Sequence, residues 1–114
     1  DYRKRGHMSD LFVKHADICK TFSNSKRLEI INALRDGKEM TASQLVKIVD
    51  TTKANLSQHM SLLAQKGVVI ARKEGINVYY CLSDNRITKA CDIMREVLIS
   101  RIEKEAKMIK QFRK

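Results

Sequence analysis

Between Thr51 and Leu63 the chain reads "TTKANLSQHMSLL", a run dense in hydrogen-bonding groups that carry no charge. Thr52, Asn55, Ser57, Gln58 and Ser61 supply short donors and acceptors, and Lys53 and His59 stand among them. The chemistry open to such a set is recognition. Asn and Gln pair bidentately with adenine in a major groove, whereas an acidic side chain there would be repelled by phosphate. The alternative is an ordinary solvated helix face, but such faces are usually filled with Glu and Lys.

The thiols and imidazoles are the other reactive groups. Cys19, Cys81 and Cys91 are odd in number and lack CxxC spacing, which argues against a disulfide framework and a zinc knuckle and favours a reducing compartment. Cys81 reads as a small strand residue. Cys19 and Cys91 lie on apolar stripes, where a packed small hydrophobe and a thiol switch are both open readings. His15 reads as a packed or interface residue, and His59 as a helix-packing or phosphate-contacting one. No nucleophile, base and orienting group can be assembled and no glycine-rich phosphate loop is present, so neither catalysis nor a cofactor is expected.

Periodicity supplies the elements that hold these groups. "DLFVKHADICKTF" forms a short helix with Leu11, His15, Ile18 and Phe22 on one stripe and Phe12, Ala16 and Cys19 beside it. "SNSKRLEIINALRDGK" is a second, capped at Ser23 or Asn24 and stopped at Gly37, with Leu28, Ile31 and Leu34 inward and Ile30 flanking. "TASQLVKIV" opens with Thr41 three residues before Gln44, a capping-box spacing, and presents Leu45, Ile48 and Val49. After a short turn, a helix from about Thr52 to Lys66 ends at Gly67. On its wheel Leu56, Met60 and Leu63 face the core, while Ala54, Ser57, Gln58 and Ser61 face away and Asn55 lies on the flank. Two short helices joined by a tight turn suggest helix-turn-helix.

Beyond Gly67 the period becomes that of strands. "VVIARK" and "NVYYCL" flank the "EGI" turn and form a hairpin in which Arg72, Lys73 and Asn77 can reach a groove or a phosphate row. A helix from about Asp84 to the end presents Ile87, Cys91, Met94, Leu98 and Ile102, widened by Ala90, Ile93, Val97 and Ile99. That face exceeds what one small core needs. The fold class expected is mainly α with a small β-hairpin: a winged helix-turn-helix of about five helices and a two-stranded wing.

A chain of 114 residues suits one domain. Residues 1–7 read as an expression-tag remnant ahead of a start at Met8, leaving 8–114 as the DNA-binding and dimerisation domain. The formal charge is +10, of which the tag-like residues hold three cations and one anion; the remaining +8 favours polyanions, although a merely solvated basic surface has the same composition. No apolar run spans a bilayer, so no membrane is expected and a cytoplasmic location is.

The chain also resembles the arsenic-repressor type of bacterial and archaeal regulators, the ArsR/SmtB family. The likeness runs from about Leu11 to Ile102 and rests on "SNSKRLEIINAL", "NLSQHMSLLAQKGVV" and "RKEGINVYYCLSD". It implies a homodimer joined through the first and last helices, for which Leu11, Phe12, Ile18, Met94, Leu98 and Ile102 are the candidate contacts. It also implies a repressor that leaves an inverted-repeat operator in double-stranded DNA when an inducer binds or oxidises it. Two departures stand out. Thr41 and Ser43 occupy the places of the family's thiolate pair, and hydroxyls do not replace soft ligands. At the family's other site Asp84 is kept, but Arg86, Val97 and Ser100 stand where ligands would be. Both metal sites are therefore expected to be absent. A winged helix that binds a polypeptide, and a metal sensor with an atypical site, are the alternatives.

Overall fold

The computed structural model describes residues 7–113. Most of the segment set apart as a tag remnant lies outside them; its last residue, His7, opens the first helix. In chain order the elements are α1 (His7–Thr21), α2 (Ser25–Ala33), β1 (Met40–Thr41), α3 (Ala42–Val49), α4 (Lys53–Gln65), β2 (Val69–Glu74), β3 (Asn77–Leu82) and α5 (Arg86–Phe112). Five helices and a winged hairpin are as the periodicity implied.

Local chemistry fixes the boundaries. Asn24 caps α2 by accepting from the Arg27 amide at 3.0 Å. The helix ends at Leu34, before the expected stop, because Asp36 and Gly37 both adopt left-handed backbone. The capping box at α3 forms as its spacing required: Thr41 accepts from the Gln44 amide at 3.3 Å, and the Gln44 side chain accepts from the Thr41 amide at 2.9 Å. Gly67, at a φ of 74°, lets the Val68 amide reach back to the Leu63 carbonyl at 2.9 Å and turns the chain from α4 into β2.

The sheet has a strand that the periodicity did not reveal. β1 pairs antiparallel with β3, placing Met40 opposite Tyr80 and Thr41 opposite Tyr79, so the spatial order is β1-β3-β2. Two residues are too few to show a period of two. The core is built by Ile30, Ile31 and Leu34 from α2 and its end, Leu45 and Val49 from α3, Leu56, Met60 and Leu63 from α4, and Val68, Val69 and Leu82 from the wing base. Ile48, expected on the inner face of α3, is 57% exposed instead. Leu45 and Val49, four apart, already form the inward stripe, and Ile48 falls to one side of it.

α1 and most of α5 stand away from this core. Leu11, Phe12, Met94, Leu98 and Ile102 are each more than half exposed, and Ile18 is half-buried. Among the described residues, no helix is long and apolar enough to cross a membrane.

Candidate nucleic-acid interface

α4 is two-sided. Leu56, Met60 and Leu63 are buried, while Thr52, Lys53, Asn55, Ser57, Gln58 and Ser61 are exposed. Thr52 caps the helix, its hydroxyl accepting from the Asn55 amide at 3.1 Å. The side chains of Asn55, Ser57, Gln58 and Ser61 make no hydrogen bond among the described residues. Four neighbouring polar groups thus remain free to meet a ligand, and the first of them, Asn55, lies in the opening turn of the helix, where the dipole favours negative charge.

The turn that aims α4 is held at several points. Asp50 closes α3 in left-handed geometry at a φ of 52°. Lys26 of α2 donates to the Val49 carbonyl at 2.9 Å, placing a cation at the negative end of α3. The wing base is pinned to the end of α4 by Ser83, whose hydroxyl donates to the Gly67 carbonyl at 2.6 Å and whose amide donates to the Val68 carbonyl at 2.9 Å.

His59 departs from the rest of the polar set. It is half-buried, and Arg27 Nη1 donates to its Nδ1 at 3.5 Å. Since a guanidinium has no acceptor, this contact needs a neutral ring with its proton on Nε2. Burial first, and then the Arg27 charge, push the imidazole pKa below its ordinary value. Arg27 also donates from Nε to the Thr21 carbonyl at 2.6 Å, and so ties the end of α1 to α4. Neither Arg27 nor Lys26 stands out in the sequence, because no periodic signal marks a cation that reaches a distant backbone carbonyl.

On the wing, Lys73 and Asn77 are exposed, and Lys73 has no ion pair among the described residues. Arg72 is exposed but engaged by Glu39 and Glu74. Glu39 was not anticipated; it lies 33 residues from its partner, beyond any local pattern. Gly75, at a φ of 60°, forms the turn, and beside it Ile76 is 96% exposed.

The remaining candidates sit elsewhere. Cys19 is exposed on α1, and Cys91 is half-buried on α5, where burial raises its thiol pKa more than the Arg95 charge lowers it. Asp84 accepts from Arg86 Nε and Nη2 at 3.1 and 2.7 Å and from the Arg86 amide at 2.9 Å, and these bonds hold its pKa down to about 2.

Residues 24–71 match the family described as bacterial regulatory protein, arsR family. The HTH-type transcriptional regulator CmtR of Mycobacterium tuberculosis is 31% identical over 85 residues, covering 75% of this chain and 71% of that protein. The chain belongs to the ArsR family. Other regulators are similar to it: the transcriptional activator HlyU of Vibrio cholerae is 29% identical across 75% of this chain and 78% of its own length. The structure of reduced HlyU superposes with a TM-score of 0.70, covering 81% of this chain and 96% of that one at 27% identity. The transcriptional repressor PagR of Bacillus anthracis is 29% identical across 63% of this chain and 72% of its own length. This ArsR-family chain is therefore a transcriptional regulator with a winged helix-turn-helix fold.

Proposed function

We propose that this ArsR-family chain acts as a homodimeric repressor that reads an inverted repeat in double-stranded DNA with α4 and steadies itself on phosphate with the wing. The observation that carries the reading is the outer face of α4, where Asn55, Ser57, Gln58 and Ser61 are exposed and make no side-chain hydrogen bond among the described residues, on a helix capped by Thr52. Asn55 and Gln58 read base edges. Thr52, Lys53, Ser57 and Ser61 contact bases or backbone nearby, and Lys73 and Asn77 contact the flanking strand. His59, turned toward Arg27, serves chiefly to hold α4 on α2.

The dimer is supported by the exposed apolar residues of α1 and α5, among them Leu11, Phe12, Met94, Leu98 and Ile102, with Ile18 at their edge. So wide an apolar surface marks an interaction site. A two-fold dimer would read half-sites about one or two helical turns apart. Relatives are named both activator and repressor, and the repressor reading follows PagR: a dimer seated on an operator that overlaps a promoter would exclude the polymerase there.

Where a chemical signal acts on the protein itself, we assign it to Cys19 or Cys91 rather than to a metal. Cys91 adjoins Asp92, whose carboxylate joins Arg35, just beyond the end of α2, to α5, so an added oxygen or sulfur there would disturb that junction. The Asp84 carboxylate is already held by Arg86.

The test is selection of duplexes from a randomised pool, followed by titration at several salt concentrations and light scattering of the free protein. An enriched inverted repeat, affinity falling steeply with salt and a dimer at micromolar concentration are expected. Affinity indifferent to salt, or a folded monomer, would overturn the reading.

A further inference from the structure

Arg72 looks at first like a wing cation for phosphate, yet every group around it belongs to the protein. Its Nε and Nη2 donate to the two carboxylate oxygens of Glu39 at 3.0 and 3.3 Å, and its Nη1 donates to Glu74 Oε2 at 2.6 Å. The guanidinium carbon stands 4.9 Å from the centre of the Tyr79 ring.

Strand register explains this meeting. Arg72 of β2 lies opposite Tyr79 of β3, and Tyr79 lies opposite Thr41 of β1. Glu39, two residues before Thr41, shares its face by strand alternation. The side chain of Arg72 therefore crosses the middle strand over Tyr79 and grips a carboxylate on the far side. Glu39 directly precedes β1, which leads through the Thr41 capping box into α3. One side chain thus ties the wing to the entrance of the helix-turn-helix.

A phosphate approaching this spot would meet two carboxylates and one cation already paired with both. An isolated exposed ion pair contributes little, but a bidentate fork joined to a second carboxylate and an aromatic face is the favourable exception. Beyond the Thr41–Tyr79 pair the wing has only two strands, and a two-stranded hairpin is marginal by itself, so a brace at that point has something to hold.

We propose that Arg72 is a positioning residue that braces the wing against the segment entering α3, and that the wing's phosphate contact is Lys73. The role in DNA binding rests on the function proposed above; the brace itself does not. Lysine contacts phosphate well but lacks the planar fork and the stack, so Arg72→Lys separates the two roles at constant charge.

The experiment compares wild type, Arg72→Lys, Arg72→Ala, Lys73→Ala, Glu39→Ala and the Arg72→Ala/Glu39→Ala pair. Affinities are measured on selected and random duplexes across a salt series, and hydrogen exchange on the free protein. Arg72→Lys should lose as much affinity as Arg72→Ala, about five- to tenfold on both duplexes, and Arg72→Ala should cost less than about twofold when Glu39 is already Ala. Lys73→Ala should flatten the salt slope by about 0.9 for each phosphate that Lys73 neutralises. In the free protein, Arg72→Lys should speed exchange of the β2 and β3 amides and leave α4 unchanged. Wild-type affinity in Arg72→Lys, tighter binding once Glu39 is removed, or unchanged wing exchange would each overturn the proposal. A wild type that binds no duplex would refute the DNA reading, and the exchange result would still decide the brace.

Discussion

Replacing Gln58 with Ala separates recognition from folding. Its side chain is exposed and makes no hydrogen bond among the described residues, so truncation leaves the Leu56–Met60–Leu63 core and the Thr52 cap untouched. The change in unfolding free energy should stay within about 0.5 kcal/mol. Against the cognate site, removing one bidentate pairing with a base costs about 1–3 kcal/mol. A two-fold dimer makes that pairing in both half-sites, so operator affinity should fall by about 2–6 kcal/mol, or roughly 30-fold to 20,000-fold. Random duplex, bound through phosphate, should be affected little. Asn55→Ala should behave likewise at a neighbouring base pair, because Asn55 contributes its amide, not its side chain, to the helix cap. Fluorescence anisotropy on the selected operator and on random duplex, beside a urea titration of each variant, measures all three quantities. Both variants keeping the wild-type ratio of specific to random affinity would refute the assignment of α4 as reader; an equal loss on both duplexes would move these residues to phosphate contacts.

Other perturbations probe the rest of the molecule. Phe12→Asp and Leu98→Asp, each at a residue more than half exposed on the isolated chain, should give folded monomers by light scattering and abolish operator binding; a persisting dimer would move the interface elsewhere. His59 has a folded pKa below its ordinary 6.5, so its stabilising contribution is complete above that value and is lost as pH falls through the folded pKa. Melting temperatures taken from about pH 8 to about pH 5 should therefore drop further in wild type than in His59→Gln, and parallel curves would refute this. Burial raises the Cys91 thiol pKa, so near pH 7.5 it should alkylate more slowly in the folded than in the urea-unfolded protein, as mass spectrometry can follow; equal rates would remove the burial argument.

The outer face of α4 was legible because one period governs both of its sides: once Leu56, Met60 and Leu63 are turned inward, the neighbouring polar groups have no other direction. The capping box, the Gly67 stop and the wing turn were legible for a similar reason, each resting on residues within four positions of one another. Ile48 escaped because four large apolar residues, Leu45, Val46, Ile48 and Val49, on an eight-residue helix leave open which of them point inward. β1 escaped because its evidence as a strand is its partner, Tyr79 and Tyr80, and not its own sequence.

The cations show how far composition reaches. A formal charge of +10 suggests a basic surface available to polyanions, yet several of those charges are occupied within the fold. Lys26 closes the end of α3, Arg27 joins α1 to His59 of α4, and Arg35 holds Asp92 of α5 at 2.7 Å. All three lie on α2 or just beyond its end, so that helix ties the apolar α5 to the reader α4 through polar contacts that no periodicity marks. Arg72, Arg86 and Arg95 are likewise paired with carboxylates. The cations free to meet DNA are therefore fewer than the 23 lysines and arginines of the sequence, and they include Lys53 on the reader helix and Lys73 on the wing, which have no ion pair among the described residues. A salt slope set by the cations that face the duplex on each protomer, rather than by the full basic count, follows from the same pairing.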